Sequence, residues 1–117
     1  MQLVTIALEA GKEFVKSDLG TLCLTPFGEK IIQTINFAPD KKMQYLDEFK
    51  WMWTHPREVP FELIAFCMHQ LRWQEFKEFI EVYRSEALLK NNWHAEAPTS
   101  FVLRAYDELW KDRDLFF

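Results

Sequence analysis

Few residues of the types that most often carry chemistry occur in this chain, and their spacing decides what they could do. The three histidines, His55, His69 and His94, stand far apart. A zinc site stacks imidazoles on one helix face, as at i and i+4, and no such pair occurs; Glu62 and His69 are two turns apart. No metal ligand and no cofactor site is assigned. Cys67 and His69 are near in sequence, but residues i and i+2 on a helix diverge, so they cannot work as nucleophile and base. Ser17, Ser85 and Ser100 fall at a helix end, on a polar face and at a cap, and no G-x-S-x-G surrounds them. Asp47 with Glu48, Glu58 with Glu62, and Glu78 with Glu81 are the carboxylate pairs that acid-base catalysis could use. Solvated helix faces carry such pairs routinely. Gly28-Glu29-Lys30 is too short for a phosphate loop. No catalytic residue is assigned, and the chain reads as a binder and not an enzyme.

The elements that must position these side chains are helical. Residues 2 to 16 put Leu3, Ile6, Ala7, Ala10, Phe14 and Val15 on one side and Thr5, Glu9, Lys12, Glu13 and Lys16 on the other, and Gly20 suits the break that follows. Thr25-Pro26 starts a second helix, with Phe27, Ile31, Ile32 and Ile35 at helical spacing, and Ala38-Pro39 stops it. Gly28 weakens it slightly. Asp40 is expected to cap a third helix running to about Thr54, whose apolar face is Tyr45, Leu46, Phe49, Met52 and Trp53 and whose wet face is Gln44, Asp47 and Glu48. From Val59 to Leu71 the apolar residues wrap nearly all round, leaving a narrow stripe of Glu58, Glu62 and His69, so this helix belongs at the centre. A fifth runs from about Trp73 to Leu88. Residues 90 to 98 read as a loop, and Thr99 or Ser100 as the cap of a last helix to about Lys111, followed by a tail ending Leu115-Phe116-Phe117. The expected fold is a single all-α domain over 1–117, an irregular bundle of helix hairpins with about six helices. Pro26-Phe27 and Pro60-Phe61 recur at a 34-residue offset. The W-x2-L-G-x2-Y pattern of tetratricopeptide repeats is absent, so the offset reads as shared hairpin spacing.

The stretch KWMWTHPREVP, residues 50–60, carries the most informative side chains. Trp53 joins the apolar face of the third helix, whereas Trp51 falls roughly 160° from Phe49 and points away from that core. A tryptophan outside a core buries much area with few torsions to freeze, which is what interface centres favour. Asp47, Glu48, Trp51, His55, Arg57, Glu58 and Glu62 are therefore the candidate partner-binding residues, with the alternative that Trp51 is covered by the Trp93 loop or the C-terminal tail.

Composition sets the partner class. Among 117 residues, 16% are aromatic, with only three glycines, five prolines and a net charge of -4. That balance gives a sizeable core and disfavours nucleic acid, which needs surplus Lys and Arg. Cys23 and Cys67 sit in apolar stretches without a CxxC, as in a reducing compartment. No basic leader and no membrane-length run occur, so a cytoplasmic location is expected. Short, acidic and helix-rich, with Trp51 beside Asp47, Glu48 and Glu58, the chain resembles in kind the small immunity proteins of bacterial toxin systems, including those of contact-dependent growth inhibition. No motif of that group is matched. The resemblance implies a one-to-one complex that blocks a basic nuclease toxin. The alternatives are a helix-hairpin adaptor or regulatory subunit, including a homodimer through the same aromatics, and a small enzyme with an unrecognised carboxylate or histidine site.

Overall fold

Helices form where apolar residues repeat at 3.6-residue spacing, and each buries that stripe against another. The computed structural model describes residues 2–107 and 110. They form α1 (Gln2–Lys16), α2 (Thr25–Phe37), α3 (Lys42–Trp53), α4 (Phe61–Leu71), α5 (Gln74–Leu89) and α6 (Glu96–Arg104), with 3-10 turns at Gly20–Leu24, Pro39–Lys41 and Trp93–Ala95. The fold is all-α, as expected. One core of buried side chains extends from Leu3 to Trp110.

The central helix is α4. Leu63 to Met68 are all buried, six residues in succession, because α4 is covered by α2, α3 and α6. The closest of these approaches depends on Gly28, where an added β-carbon would overlap the Phe66 ring. Gly28 thus trades a little helix propensity for a ring packed directly on the α2 backbone. Helix α1 lies against both α2 and α3, and α5 against α3 and α6. The 34-residue offset relates α2 to α4 and α3 to α5, and both pairs are in contact.

Helix boundaries shift where capping differs from the sequence expectation. Pro60 is the N-cap of α4, so Val59 is a buried residue of the preceding turn and not part of the helix. Asp40 lies in the Pro39–Lys41 turn and does not cap α3, which follows Lys41 without a side-chain cap. Thr99 is buried within α6, its Oγ1 donating to the Ala95 and Glu96 carbonyls, so it is no N-cap. The stretch assigned to a loop contains the start of α6, which begins at Glu96. Residues 108, 109 and 111–117, which include the expected end of the last helix and the tail, lie outside the described residues.

After α6 the chain crosses the C-terminal end of α4. His69 Nδ1 donates to the Ala105 carbonyl at 2.7 Å, and Arg72 Nη1 donates to the Tyr106 carbonyl at 2.9 Å. Arg72 itself holds a left-handed conformation, φ 53°, at the α4 C-cap. Tyr106 Oη donates to the Trp73 carbonyl, and Trp110 stands edge-on to Phe101 at 5.7 Å.

The largest departure concerns Glu48, which the sequence places on the wet face. It is only 6% exposed, and its Oε1 accepts from the Leu3 and Val4 backbone N–H groups at 2.9 and 3.2 Å. The first N–H groups of a helix have no intrahelical acceptor and carry partial positive charge. Helix α1 has no acidic residue in its own first turn, so a carboxylate from α3 serves that end. Glu48→Ala should lower unfolding stability by about 2 kcal/mol, because two charge-assisted hydrogen bonds are lost and two donors stay buried. Asp47→Ala, at an exposed neighbour, should change it by less than about 0.5 kcal/mol. Urea titration of the three proteins measures both values.

Candidate functional site

The seven candidate binding residues do not form one patch. Glu48 is consumed inside the fold. Trp51 is half-buried and packs against the core. His55 stacks on Trp51, with ring centroids 3.7 Å apart and planes 14° from parallel. His55 Nδ1 also meets the Trp51 carbonyl at 2.7 Å, and a carbonyl only accepts, so the hydrogen sits on that nitrogen. Thr54 Oγ1 donates to the same carbonyl at 2.9 Å. Trp51 and His55 therefore form a locked end to α3. Asp47 remains exposed on the outer side of that helix.

Arg57, Glu58 and Glu62 do come together. They line a groove of about 260 Å3 between the C-terminal half of α1 and the start of α4, with Phe14, Val15 and Phe61 as apolar walls. Gly11 creates this junction. A β-carbon there would overlap the Glu58 carbonyl, so only glycine lets the 54–60 segment lie on α1. Arg57 and Glu58 are exposed, and Val15 is 82% exposed at the rim.

Glu62 is the chemically distinctive member. Desolvation among these apolar neighbours raises its carboxyl above the ordinary range, against a smaller opposing effect from a hydrogen bond with its own backbone N–H in the first turn of α4. The carboxyls of Glu75 and Glu96 move the other way. Lys42, 2.8 Å away, holds Glu75 low, and Arg84, paired through two nitrogens, holds Glu96 low with help from Ser100 Oγ.

The remaining chemistry-bearing groups are separate. Cys67 is fully buried and its thiol is pushed well up by desolvation, so it offers no thiolate; Cys23 is half-buried, and both are free thiols. His94 is exposed beside a different cavity that no carboxylate lines. Among the described residues no group of three His, Cys, Asp or Glu could hold a metal ion, and no helix is long and apolar enough to cross a membrane. Trp73 is half-buried, edge-on to Phe49 at 5.7 Å, whereas Trp93 is 68% exposed.

The walls Phe14 and Val15 were legible only as core candidates of the first helix. What turns them into a groove is Gly11, a glycine in the middle of an amphipathic helix, and that is the signal that could have marked the site.

The raised Glu62 carboxyl has a pH signature. Its folded pKa lies above its unfolded one, so ionisation opposes folding. The penalty is absent below the unfolded value, grows as pH rises through both, and is complete above the folded value. Glu62→Gln should therefore be more stable than the parent at pH 7, and the advantage should shrink to nothing on acidification below the ordinary glutamate range. Thermal unfolding of both proteins between pH 3.5 and about pH 7 measures this difference.

No protein-family model matches the chain, and no curated protein or solved structure is significantly similar to it.

Proposed function

We propose that the chain is a protein-binding inhibitor of the immunity type, which neutralises a basic toxin domain, a nuclease in the simplest case, in the cytoplasm. The observation that carries this reading is the groove in which Glu58 and a partly desolvated Glu62 stand beside Phe14, Val15 and Phe61. Its size suits one long side chain from a partner. An arginine or lysine would lay its methylene stem on the aromatic walls and bring its cationic head to the two carboxylates. Glu62 supports the reading through its energetics: a carboxyl that ionises at a cost in the free protein regains that cost when a buried cation pairs with it. The net charge of -4 supports steering of a basic partner toward the surface.

Binding is proposed in preference to catalysis because the groove holds no nucleophile and no histidine. His55 and His69 each direct Nδ1 to a backbone carbonyl.

The test is affinity capture from the source cells with the parent chain and with Glu58→Lys/Glu62→Lys. The parent should retain a basic protein whose toxic activity it abolishes in one-to-one mixture. The charge-reversed form should lose it, with affinity lowered by at least about 100-fold for two close charge pairs. Association of the purified pair should slow several-fold between low and physiological salt. A captured partner bound equally by both forms, or one whose activity is unchanged by binding, would contradict the proposal.

A further inference from the structure

Acid and base are separated along α1. At its C-terminal half lies the groove in which Glu58 and Glu62 stand against Phe14, Val15 and Phe61. A wider groove, of about 560 Å3, runs between its N-terminal half and α2. Gln2 and Ile6 line that groove from α1, and Lys30, Phe37 and Lys41 from α2 and the turn after it, with no Asp or Glu. Lys30 and Lys41 make no ion pair among the described residues, so both ammonium groups are available. Phe37, the last residue of α2, is 92% exposed, more than any other large apolar side chain among the described residues.

Each groove supplies what the other lacks. Glu58 and Glu62 also make no ion pair among the described residues, and they match the two lysines in number and opposite sign. Arg57, on the acidic groove, offsets only one of the two carboxylates, so that lining stays negative. A cavity of about 150 Å3 accommodates benzene, so a groove of about 260 Å3 has room for the Phe37 ring with a lysine stem laid beside it. At about 100° per residue, Gln2 and Ile6 lie roughly 150° around α1 from Phe14 and Val15. Surfaces that face apart do not both meet one neighbour, so a contact between them is head to tail and not two-fold.

We propose that the chain binds a second copy of itself head to tail. The Phe37 ring of one copy enters the acidic groove of the next, and Lys30 and Lys41 pair with Glu58 and Glu62 there. The ring supplies an apolar anchor, and the charges set its orientation and make the contact sensitive to salt. Every added copy leaves one groove and one Phe37 patch free, so association continues past the dimer. The consequence for function rests on the reading above: the next copy occupies the site proposed for a basic partner, and binding of that partner takes the assembly apart.

Sedimentation equilibrium of the purified full chain, from about 10 μM to about 1 mM and with no other protein present, tests the contact. At low salt the average mass should rise with concentration past twice the 14.1 kDa of one chain, and at about 0.5 M salt it should fall back toward one chain. Phe37→Asp and Glu58→Lys/Glu62→Lys should each weaken self-association at least about tenfold. In an equal mixture the first protein keeps the groove and the second keeps the patch, so the pair should join one to one and stop there. The unsubstituted chain decides the matter if either variant fails to fold. A parent that stays monomeric at the highest concentration, a parent that stops at the dimer, or a mixture of folded variants that stays monomeric would overturn the proposal. No basic partner enters this experiment, so its failure leaves the partner reading to the capture test.

Discussion

The Glu48 carboxylate seated on the first turn of α1 is the contact on which the arrangement of this protein depends. It ties residues 45 positions apart and sets where α1 begins. At the other end of the same helix, Gly11 admits the Glu58 carbonyl. Between these two points α1 is held to α3 and to the segment after it. Phe14 and Val15 become groove walls for that reason. Trp51, three residues after Glu48, is half-buried against the core. Burying a carboxylate is costly unless its oxygens find donors, and here two backbone N–H groups at a positive helix end provide them.

Around that tie the molecule packs by close approach. Phe66 reaches the α2 backbone at Gly28, and α4 fills the centre because little of its surface could face water. The stretch after α6 then closes over the end of α4 through backbone-directed hydrogen bonds from His69 and Arg72. Two of the three histidines are spent on carbonyls in this way. The surface features left over include the acidic groove by α1 and the apolar cavity by Trp53. Both border on Pro56 and Phe61, so the turn that ends α3 shapes each of them.

Much of this was legible from periodicity. The all-α class, the first two helices, and the central place of Leu63 to Met68 follow from which residues are apolar and how they repeat. The orientation of Trp53 into the core follows as well. Tertiary partnerships were not legible. Glu48 lies between Leu46 and Phe49 on a polar-looking edge, and nothing local says that a helix 45 residues earlier lacks an acceptor for its first turn. Trp51 points away from the core face of α3, yet it is half-buried against the core and stacked on His55. Thr99 looked like a cap because a hydroxyl often is one, whereas here Ala95 and Glu96 supply carbonyls to it inside the helix. Of the proposed binding residues, Arg57, Glu58 and Glu62 remain together because they flank Pro60 and share the junction that Gly11 opens.

Amide hydrogen exchange at Leu3 and Val4 tests the central contact most directly. First-turn amides of a helix normally exchange at the rate of a frayed end, having no intrahelical acceptor. If Glu48 holds them as described, their protection should approach that of the α4 core. Exchange of both at the rate of an open chain, while α4 stays protected, would contradict the account.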